Sequence, residues 1–229
     1  MLEKETGVLF VVATPIGNIN DITFRAIEVL KSVDIIACED TRRTGILLKY
    51  FGIKKHTISY YQYNRLSREE VLIAYLKDGK NIALVSDAGM PGISDPGVHL
   101  IKEAINRNIK VEVIPGAVAH AVALVVSGFA TDRFSFCGFL PVKTNKKREK
   151  IIEYHQRGET IICYESPHRL LKTLSIIYQA LGDIDIAVCR ELTKKFEQVL
   201  RDKVSVLIDY FSRNKPRGEF VIVFGRRVK

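Results

Sequence analysis

The fold is decided by the stretch Ile82-Ala83-Leu84-Val85-Ser86-Asp87-Ala88-Gly89-Met90-Pro91-Gly92-Ile93-Ser94-Asp95-Pro96-Gly97. Its first four residues are an apolar run that predicts a buried strand, and an amphipathic segment after the loop predicts a helix. The loop is about twice as long as the usual connection of about 4 to 6 residues, which favours a functional loop over a simple turn. Its glycines and prolines fix the path of the backbone, and glycine lets a ligand approach where a Cβ would block it. Open α/β sheets bind ligands at such strand ends.

Strand and helix patterns alternate on both sides of this central loop up to residue 116. Apolar runs predict strands over residues 8–13, 34–38, 56–60, 82–85 and 111–114, and helical spacing predicts helices over 21–32, 41–51, 66–78 and 96–107. Two further Gly/Pro loops follow strands, at Thr14-Pro15-Ile16-Gly17-Asn18 and at Pro115-Gly116. The alternation predicts an N-terminal α/β domain, residues 1–116, with a parallel sheet, helices on both faces and the three loops along one edge.

The second half of the chain repeats the same kinds of segment. Residues 117–128 are small and apolar and predict a buried helix that joins the two halves. Further strands are predicted over 134–139, 160–164, 186–189 and 220–224, and helices over 145–157, 167–181 and 203–213. The fold class is therefore α/β with two α/β domains, 1–116 and 117–229, and a cleft between two such domains is a common place for a ligand.

Composition limits the class of protein. Among 229 residues, 47% are hydrophobic and 27% charged, and no apolar run approaches the roughly 20 residues that a membrane span needs. The first five residues lack the pattern of a signal peptide, so a cytoplasmic location is expected. The four cysteines are far apart and are expected to be buried free thiols, with no metal site. A formal charge of +9 favours a polyanionic partner such as nucleic acid.

The residues alone do not choose a reaction. The Gly/Pro loops form neither a Walker A sequence nor a dinucleotide-binding fingerprint, and no hydrolase or zinc motif is present. Charged residues stand at predicted strand ends, namely Asp40, Arg42, Asp87, Asp95, Glu165, His168, Arg169, Arg190 and Glu191. A dense basic run lies where a helix should begin and consists of Lys143, Lys146, Lys147 and Arg148. This run is either a solvated helix start or an anion-binding surface. The helix dipole disfavours cations at a helix N-terminus.

Several segments, taken in order, resemble one family over residues 7 to 225. They are VVATPIGNINDIT, EDTR, ALVSDAGMPGISDPG, IPG, TDRFSFCGFLP, YESPHRL, CRELTK and RGEFVIV. They are similar to the bacterial 16S ribosomal RNA (cytidine 2′-O)-methyltransferases of the tetrapyrrole-methylase-like superfamily. The resemblance implies a tetrapyrrole methylase-like fold, usually dimeric, that binds S-adenosylmethionine between its two domains. It also implies methylation of a ribose hydroxyl of a cytidine in the decoding region of the small ribosomal subunit.

The resemblance also implies which residues lie at the cofactor. From the first half these are Pro15, Asp87, Gly89, Ile93, Ser94, Val118 and Ala119, and from the second half Tyr164, Leu192 and Glu219. The chain departs from the family where Pro115-Gly116-Ala117-Val118-Ala119 replaces the usual Pro-Gly-Pro-Ser-Ala, so a serine hydroxyl is missing there. Longer members continue past the last strand, and RNA contacts assigned to that extension are not carried over.

Methyl transfer depends mainly on orientation, although a base helps the ribose hydroxyl to lose its proton. Asp40, Asp95 and Glu165 are the candidate bases, and a helix cap or structural ion pair is an equally good interpretation of each. The candidate phosphate contacts are Arg42, Lys143, Lys146, Lys147, Arg148, Arg169 and Arg190. The apolar segment 121–126 is a candidate dimer contact. Two other functions remain open: a same-fold methyltransferase acting on a small tetrapyrrole or a protein side chain, and a non-catalytic RNA-binding protein.

Overall fold

The computed structural model describes residues 6–63, 65–95 and 97–226, with the backbone alone at 65 and 66. The chain divides into two compact units, Met1–Val118 and Ala119–Lys229. The boundary between the units lies two residues after the predicted domain boundary at residue 116. The first five residues, on which the expected lack of a signal peptide rests, and Pro96 of the central loop lie outside the described residues.

The first unit is a parallel sheet with helices on both faces. Its strands are β1 (Leu9–Val12), β2 (Ile35–Cys38), β3 (His56–Ser59), β4 (Ile82–Val85) and β5 (Val111–Ile114). Its helices are α1 (Phe24–Ser32), α2 (Thr41–Tyr50), α3 (Arg65–Lys77) and α4 (Val98–Asn106), with a turn of 3-10 helix at Ile19–Asp21. The strands run parallel in the order β3-β2-β4-β1-β5. This is the sheet that the alternating sequence predicts.

Alternation along β4 shows how the first unit is layered. Ile82 and Leu84 pack in a buried cluster with residues of α3 and α4, whereas Ala83 and Val85 pack in a second cluster with residues of α1 and α2. Both faces of the sheet are therefore buried, which explains why the strands are continuous apolar runs. Helix α1 begins at 24 instead of 21 because Thr23 is its N-cap, with the hydroxyl accepting a hydrogen bond from the Ala26 amide at 3.0 Å.

The second unit has a mixed sheet. Its elements in order are α5 (Ala119–Ser127), β6 (Phe134–Phe139), α6 (Thr144–Gln156), β7 (Thr160–Glu165), α7 (Leu170–Leu181), β8 (Asp185–Arg190), β9 (Gln198–Lys203), α8 (Val204–Arg213) and β10 (Phe220–Phe224). The strand order is β6-β7-β10-β8-β9; β6 and β7 are parallel, and the other pairs are antiparallel. The main core lies between this sheet and α6, α7 and α8.

Two features of the second unit differ from the sequence-based expectation. Strand β9 was not predicted, because QVLRDK has only two apolar residues and pairs as an exposed edge with β8 alone. Helix α5 was predicted to be buried, but only Ala123, Leu124 and Ser127 are buried, and Val125 is 74% exposed. The helix begins at the unit boundary and packs on β7, β8 and β10.

Candidate functional site

The loops after β1 and β4 are joined at the carboxyl edge of the first sheet. The amide of Thr14 donates to the carbonyl of Gly89 at 2.9 Å, and the Gly89 amide donates back to Thr14 at 3.0 Å. The Thr14 hydroxyl also donates to the carbonyl of Ser86 at 3.2 Å. These bonds hold the Pro15 loop beside the central loop, as expected for a ligand site at the strand ends of an α/β sheet.

Glycine is required where the loop after β5 reaches the same place. A Cβ built on Gly116 would lie 2.8 Å from the Cβ of Ala13, closer than two such atoms can pack. Gly89 is buried with φ +83°, and its Cβ would lie 3.7 Å from the carbonyl oxygen of Ala117. All three Gly/Pro loops therefore converge, and they bring Pro15, Gly89 and Ala117 together.

The central loop holds a left-handed residue that is not glycine. Ser94 has φ +62°, a conformation that costs about 1–3 kcal/mol for such a residue and is concentrated at functional sites. Its side chain is exposed, while neighbouring Ile93 is half-buried and donates its amide to Met90 at 3.2 Å. The loop thus presents a hydroxyl and an apolar side chain next to each other.

A cavity of about 370 Å³ opens beside the central loop in the first unit. Its lining combines Ser94 and Asp95 with Tyr60 and Gln62, which follow β3, and with the first residues of α4. The volume is within the range of small-molecule sites. Of the three predicted bases, Asp95 is the one that lines this cavity.

The carboxylates after β2 have different surroundings. Asp40 is the N-cap of α2, and it accepts hydrogen bonds from the Arg42 amide at 2.8 Å and from the Arg42 guanidinium at 3.0 and 2.7 Å. These bonds hold the pKa of Asp40 well below its usual range, so the carboxylate is a weak proton acceptor. The structure thus gives both Asp40 and Arg42, predicted as base and phosphate contact, a structural role as helix cap and ion pair.

Asp87 and Glu39 complete this acidic group. Asp87 accepts a hydrogen bond from the Asp40 amide at 3.1 Å and lies 3.3 Å from the guanidinium of Arg43. Burial, reinforced by the negative charge of Asp87, raises the pKa of Glu39. Sequence reasoning did not select Glu39, although its place directly after β2 was a usable signal. A raised carboxyl pKa makes it a better proton acceptor than Asp40.

Glu165, the third predicted base, belongs to a buried network in the second unit. Its Oε2 accepts hydrogen bonds from Lys147 Nζ at 3.0 Å and from the Thr173 hydroxyl at 2.5 Å, and Lys147 also donates to Thr173 at 2.5 Å. The side chains of Glu165 and Lys147 are 0% and 2% exposed. The predicted RNA contact by Lys147 is therefore not supported, because its ammonium group faces the core; burial also lowers its pKa.

The other predicted basic contacts have distinct environments. Lys143, Lys146 and Arg148 are exposed at the start of α6. Arg169 lies 3.1 Å from Glu165 and donates to the carbonyl of Leu140 at 2.5 Å. Arg190 donates to the carbonyl of Arg217 at 2.6 Å. Of these three sets of predicted contacts, the residues at the start of α6 form an accessible basic group. The guanidinium groups of Arg169 and Arg190 are instead hydrogen-bonded to backbone carbonyls.

The remaining predicted cofactor residues lie near the unit boundary and in the second unit. Val118 and Ala119 are half-buried on either side of the boundary. Tyr164 is half-buried at the end of β7, and Leu192 is buried after β8. The carboxylate of Glu219 is 73% exposed and pairs with Lys194 at 2.8 Å.

The described residues contain no cluster of metal ligands. None of the helices in this described part could span a membrane.

Comparison with known proteins assigns the family. A profile of the family described as Tetrapyrrole (Corrin/Porphyrin) Methylases matches residues 8–207. The chain belongs to this family. It is similar to proteins named Ribosomal RNA small subunit methyltransferase I from Synechocystis sp. (51% identical, 95% of this chain and 78% of the relative) and Bacillus subtilis (47%, 96% and 76%). A protein of the same name from Thermotoga maritima is 44% identical over 95% of this chain and 97% of its own.

Solved structures of proteins with low sequence identity share the fold. A cobalt precorrin-4 methyltransferase matches with a TM-score of 0.72 and 17% identity, covering 95% of this chain and 94% of its own. A diphthine synthase matches with a TM-score of 0.75 and 15% identity, covering 96% and 89%. At these identities the likeness shows a common two-domain α/β fold and nothing about substrates.

The methyl donor of this family is S-adenosylmethionine, which supplies a methyl group bonded to a positively charged sulfur. The loops of the first unit fit this molecule. Gly116 leaves no room for a Cβ beside Ala13, and Gly89 adopts left-handed backbone, so both glycines allow the three loops to come together. Asp87 offers carboxylate oxygens to ammonium or hydroxyl donors, and Ile93 offers apolar contact to a purine ring.

Proposed function

We propose that this chain transfers a methyl group from S-adenosylmethionine to the ribose 2′-oxygen of a cytidine in the decoding region of 16S ribosomal RNA. The observation that carries the proposal is the identity of 44–51% with proteins named for methylation of small-subunit ribosomal RNA, extending over at least 95% of this chain. The exposed basic start of α6 and the charge of +9 support a polyanionic substrate.

The proposed roles divide between the two units. Pro15, Asp87, Gly89, Ile93, Ser94 and Val118 of the first unit would hold the cofactor, with Ala119, Tyr164, Leu192 and Glu219 of the second unit. Asp95 is the preferred acceptor of the ribose proton because it lines the cavity beside the central loop. Orientation of the hydroxyl contributes most of the rate, on the order of 7–11 kcal/mol.

The test is mass spectrometry of 16S ribosomal RNA from cells with and without the gene, followed by reaction of the purified protein with unmethylated small subunits. A ribose-methylated cytidine that disappears with the gene and returns in the purified reaction is expected. Methyl groups on a base, or on no RNA at all, would contradict the proposal. The second outcome would favour the small-molecule or protein substrates of other members of this fold.

We also propose that the protein is a homodimer. Helix α5 presents the apolar side chains of Ala121 and Val125 to solvent, and a two-fold axis would bury this face against its own copy. Sedimentation at micromolar concentration is expected to give the dimer mass, and Val125→Glu the monomer mass. A wild-type monomer would exclude this assembly.

The proposed substrate also favours a cytoplasmic location, which stays a prediction.

A further inference from the structure

Four rings form a continuous aromatic strip in the second unit, consisting of His120, Phe136, Tyr164 and Phe139. His120 stacks on Phe136 with centroids 4.3 Å apart and planes at 21°. Phe136 contacts Tyr164 edge-on at 4.9 Å, and Tyr164 contacts Phe139 edge-on at 5.7 Å. Such geometries are the preferred ones for aromatic pairs.

A β-bulge in β6 creates the strip. Phe136 pairs with Ile162 of β7, but Phe139 instead of Gly138 pairs with Tyr164, so the register shifts by one residue. Gly138 adopts φ +59°, which glycine allows at no steric cost. Without the bulge Phe139 would point to the opposite face of the sheet from Phe136, because side chains alternate along a strand. The bulge therefore turns Phe139 toward Tyr164.

The strip is not part of the main core of the second unit. The flanking residues of β7, Ile161, Cys163 and Glu165, are buried toward α6, α7 and α8, so Tyr164 lies on the other face of the sheet. Phe139 at the outer end of the strip is 54% exposed. A ring held in fixed contact with a second ring, yet left half in water, is available to a further planar group.

Positive charge lies directly beside this end of the strip. Leu140 follows Phe139, and its carbonyl accepts the hydrogen bond from the guanidinium of Arg169. Lys143, exposed, is four residues from Phe139 and is the N-cap of α6. An exposed ring close in the chain to an exposed lysine has the chemistry that single-stranded nucleic acid requires, with a stacking surface for a base and a partner for its phosphate.

We propose that Phe139 is a stacking surface for an unpaired base of the RNA substrate, with Lys143 contacting an adjoining phosphate. The inference rests on the proposed function and specifies how the RNA is held. Tyr164 and Phe136 support the ring from behind, and His120 completes the stack as a neutral imidazole, since burial lowers its pKa. Stacking tolerates any base, so this contact supplies grip and orientation rather than sequence discrimination.

The test compares Phe139→Ala, Phe139→Tyr and the matched control Phe134→Ala, which removes another exposed ring from the same strand. Binding of unmethylated small subunits is measured by filter retention, and binding of S-adenosylmethionine by calorimetry. Phe139→Ala is expected to weaken subunit binding roughly 5- to 150-fold, the range for loss of one base–aromatic stack. Phe139→Tyr and Phe134→Ala are expected to bind subunits like the wild type, and all three variants to keep cofactor affinity.

Each other outcome overturns the inference. Equal subunit binding by Phe139→Ala and wild type means that the ring does not stack on RNA. A matching loss of cofactor affinity means that the ring holds the cofactor's adenine instead. Wild-type protein that does not bind subunits also refutes it. Failure of the proposed function gives a different result. In that case the wild type binds subunits and Phe139→Ala binds them more weakly, but the wild type transfers no methyl group to ribose.

Discussion

At the scale of single residues, Lys147 shows how burial changes the meaning of a basic side chain. Its ammonium group is enclosed with Glu165 and Thr173, so Lys147→Met removes the buried cation that pairs with the Glu165 carboxylate, while Arg169 remains 3.1 Å from that carboxylate. We expect a loss of about 1.5–3 kcal/mol in the free energy of unfolding, the range for losing a hydrogen bond to a charged group. Urea denaturation measures it.

The neighbouring exposed residue is the matched control. Lys146→Met makes the same chemical change one position earlier in α6 and should alter the free energy of unfolding by no more than about 0.5 kcal/mol. Equal losses in both variants would show that Lys147 is not held by the buried network.

The cysteines provide a prediction about pH. Burial raises the pKa of Cys137 to about 11 and that of Cys189 to about 12, against an ordinary value of 9.0. The thiolate is the reactive form, so at pH 8 native Cys137 should be alkylated by iodoacetamide about a hundred-fold more slowly than an ordinary thiol. Because a thiol ionises as pH rises, the rate should climb about tenfold per unit from pH 8 to 10. Mass spectrometry of tryptic peptides follows each site, and a plateau near pH 9 would contradict the raised pKa.

At the scale of elements, convergence of the three loops is what the cofactor site requires. Gly116→Ala would place a methyl group 2.8 Å from the Cβ of Ala13 and push the loop after β5 away from the loop after β1. We expect S-adenosylmethionine to bind at least about tenfold more weakly, corresponding to roughly 1.4 kcal/mol of lost interaction. Calorimetry measures the affinity.

A second glycine gives the control for this variant. Gly45→Ala introduces the same methyl group within α2, where no atom lies within 4 Å of the new Cβ. Alanine is favoured over glycine inside a helix by roughly 0.5–1 kcal/mol, so this variant should be slightly more stable and bind the cofactor normally. Unchanged cofactor affinity in Gly116→Ala would refute the role assigned to the close approach.

Elements were predictable where the local pattern is strong. The apolar runs of β1, β2 and β4 and the Gly/Pro loops after β1, β4 and β5 were found from the sequence, since a strand buried on both faces has no polar positions. Long-range pairing was not predictable. Lys147 reads as part of a basic run because its partners are 18 and 26 residues away, and Phe139 faces Tyr164 because of a one-residue bulge that no alternation pattern records.

At the scale of the whole molecule, the formal net charge of +9 comes from residues in different environments. At the carboxyl edge of the first sheet, Arg42 is paired with Asp40 and Arg43 with Asp87. In the second unit, Lys147 is buried. Among the predicted phosphate contacts, the accessible basic group at the start of α6 is therefore the one that we expect to meet RNA. Phosphate contacts supply affinity without reading sequence, so the shape of the RNA has to select the nucleotide.

The salt dependence of subunit binding tests this assignment. Replacing Lys143, Lys146 and Arg148 with alanine removes up to three phosphate contacts, and each contact contributes about 0.7–0.9 to the slope of log K against log salt concentration. The slope should become shallower by about 2, with cofactor affinity unchanged. The control variant replaces three exposed lysines at the amino edge of the first sheet. They are Lys77 at the end of α3, Lys80 two residues before β4, and Lys110 directly before β5. Both variants remove the same net charge, so a general attraction to the polyanion would flatten both slopes alike. A change confined to the α6 variant is the expected result, because only fixed contacts release counterions from particular phosphates.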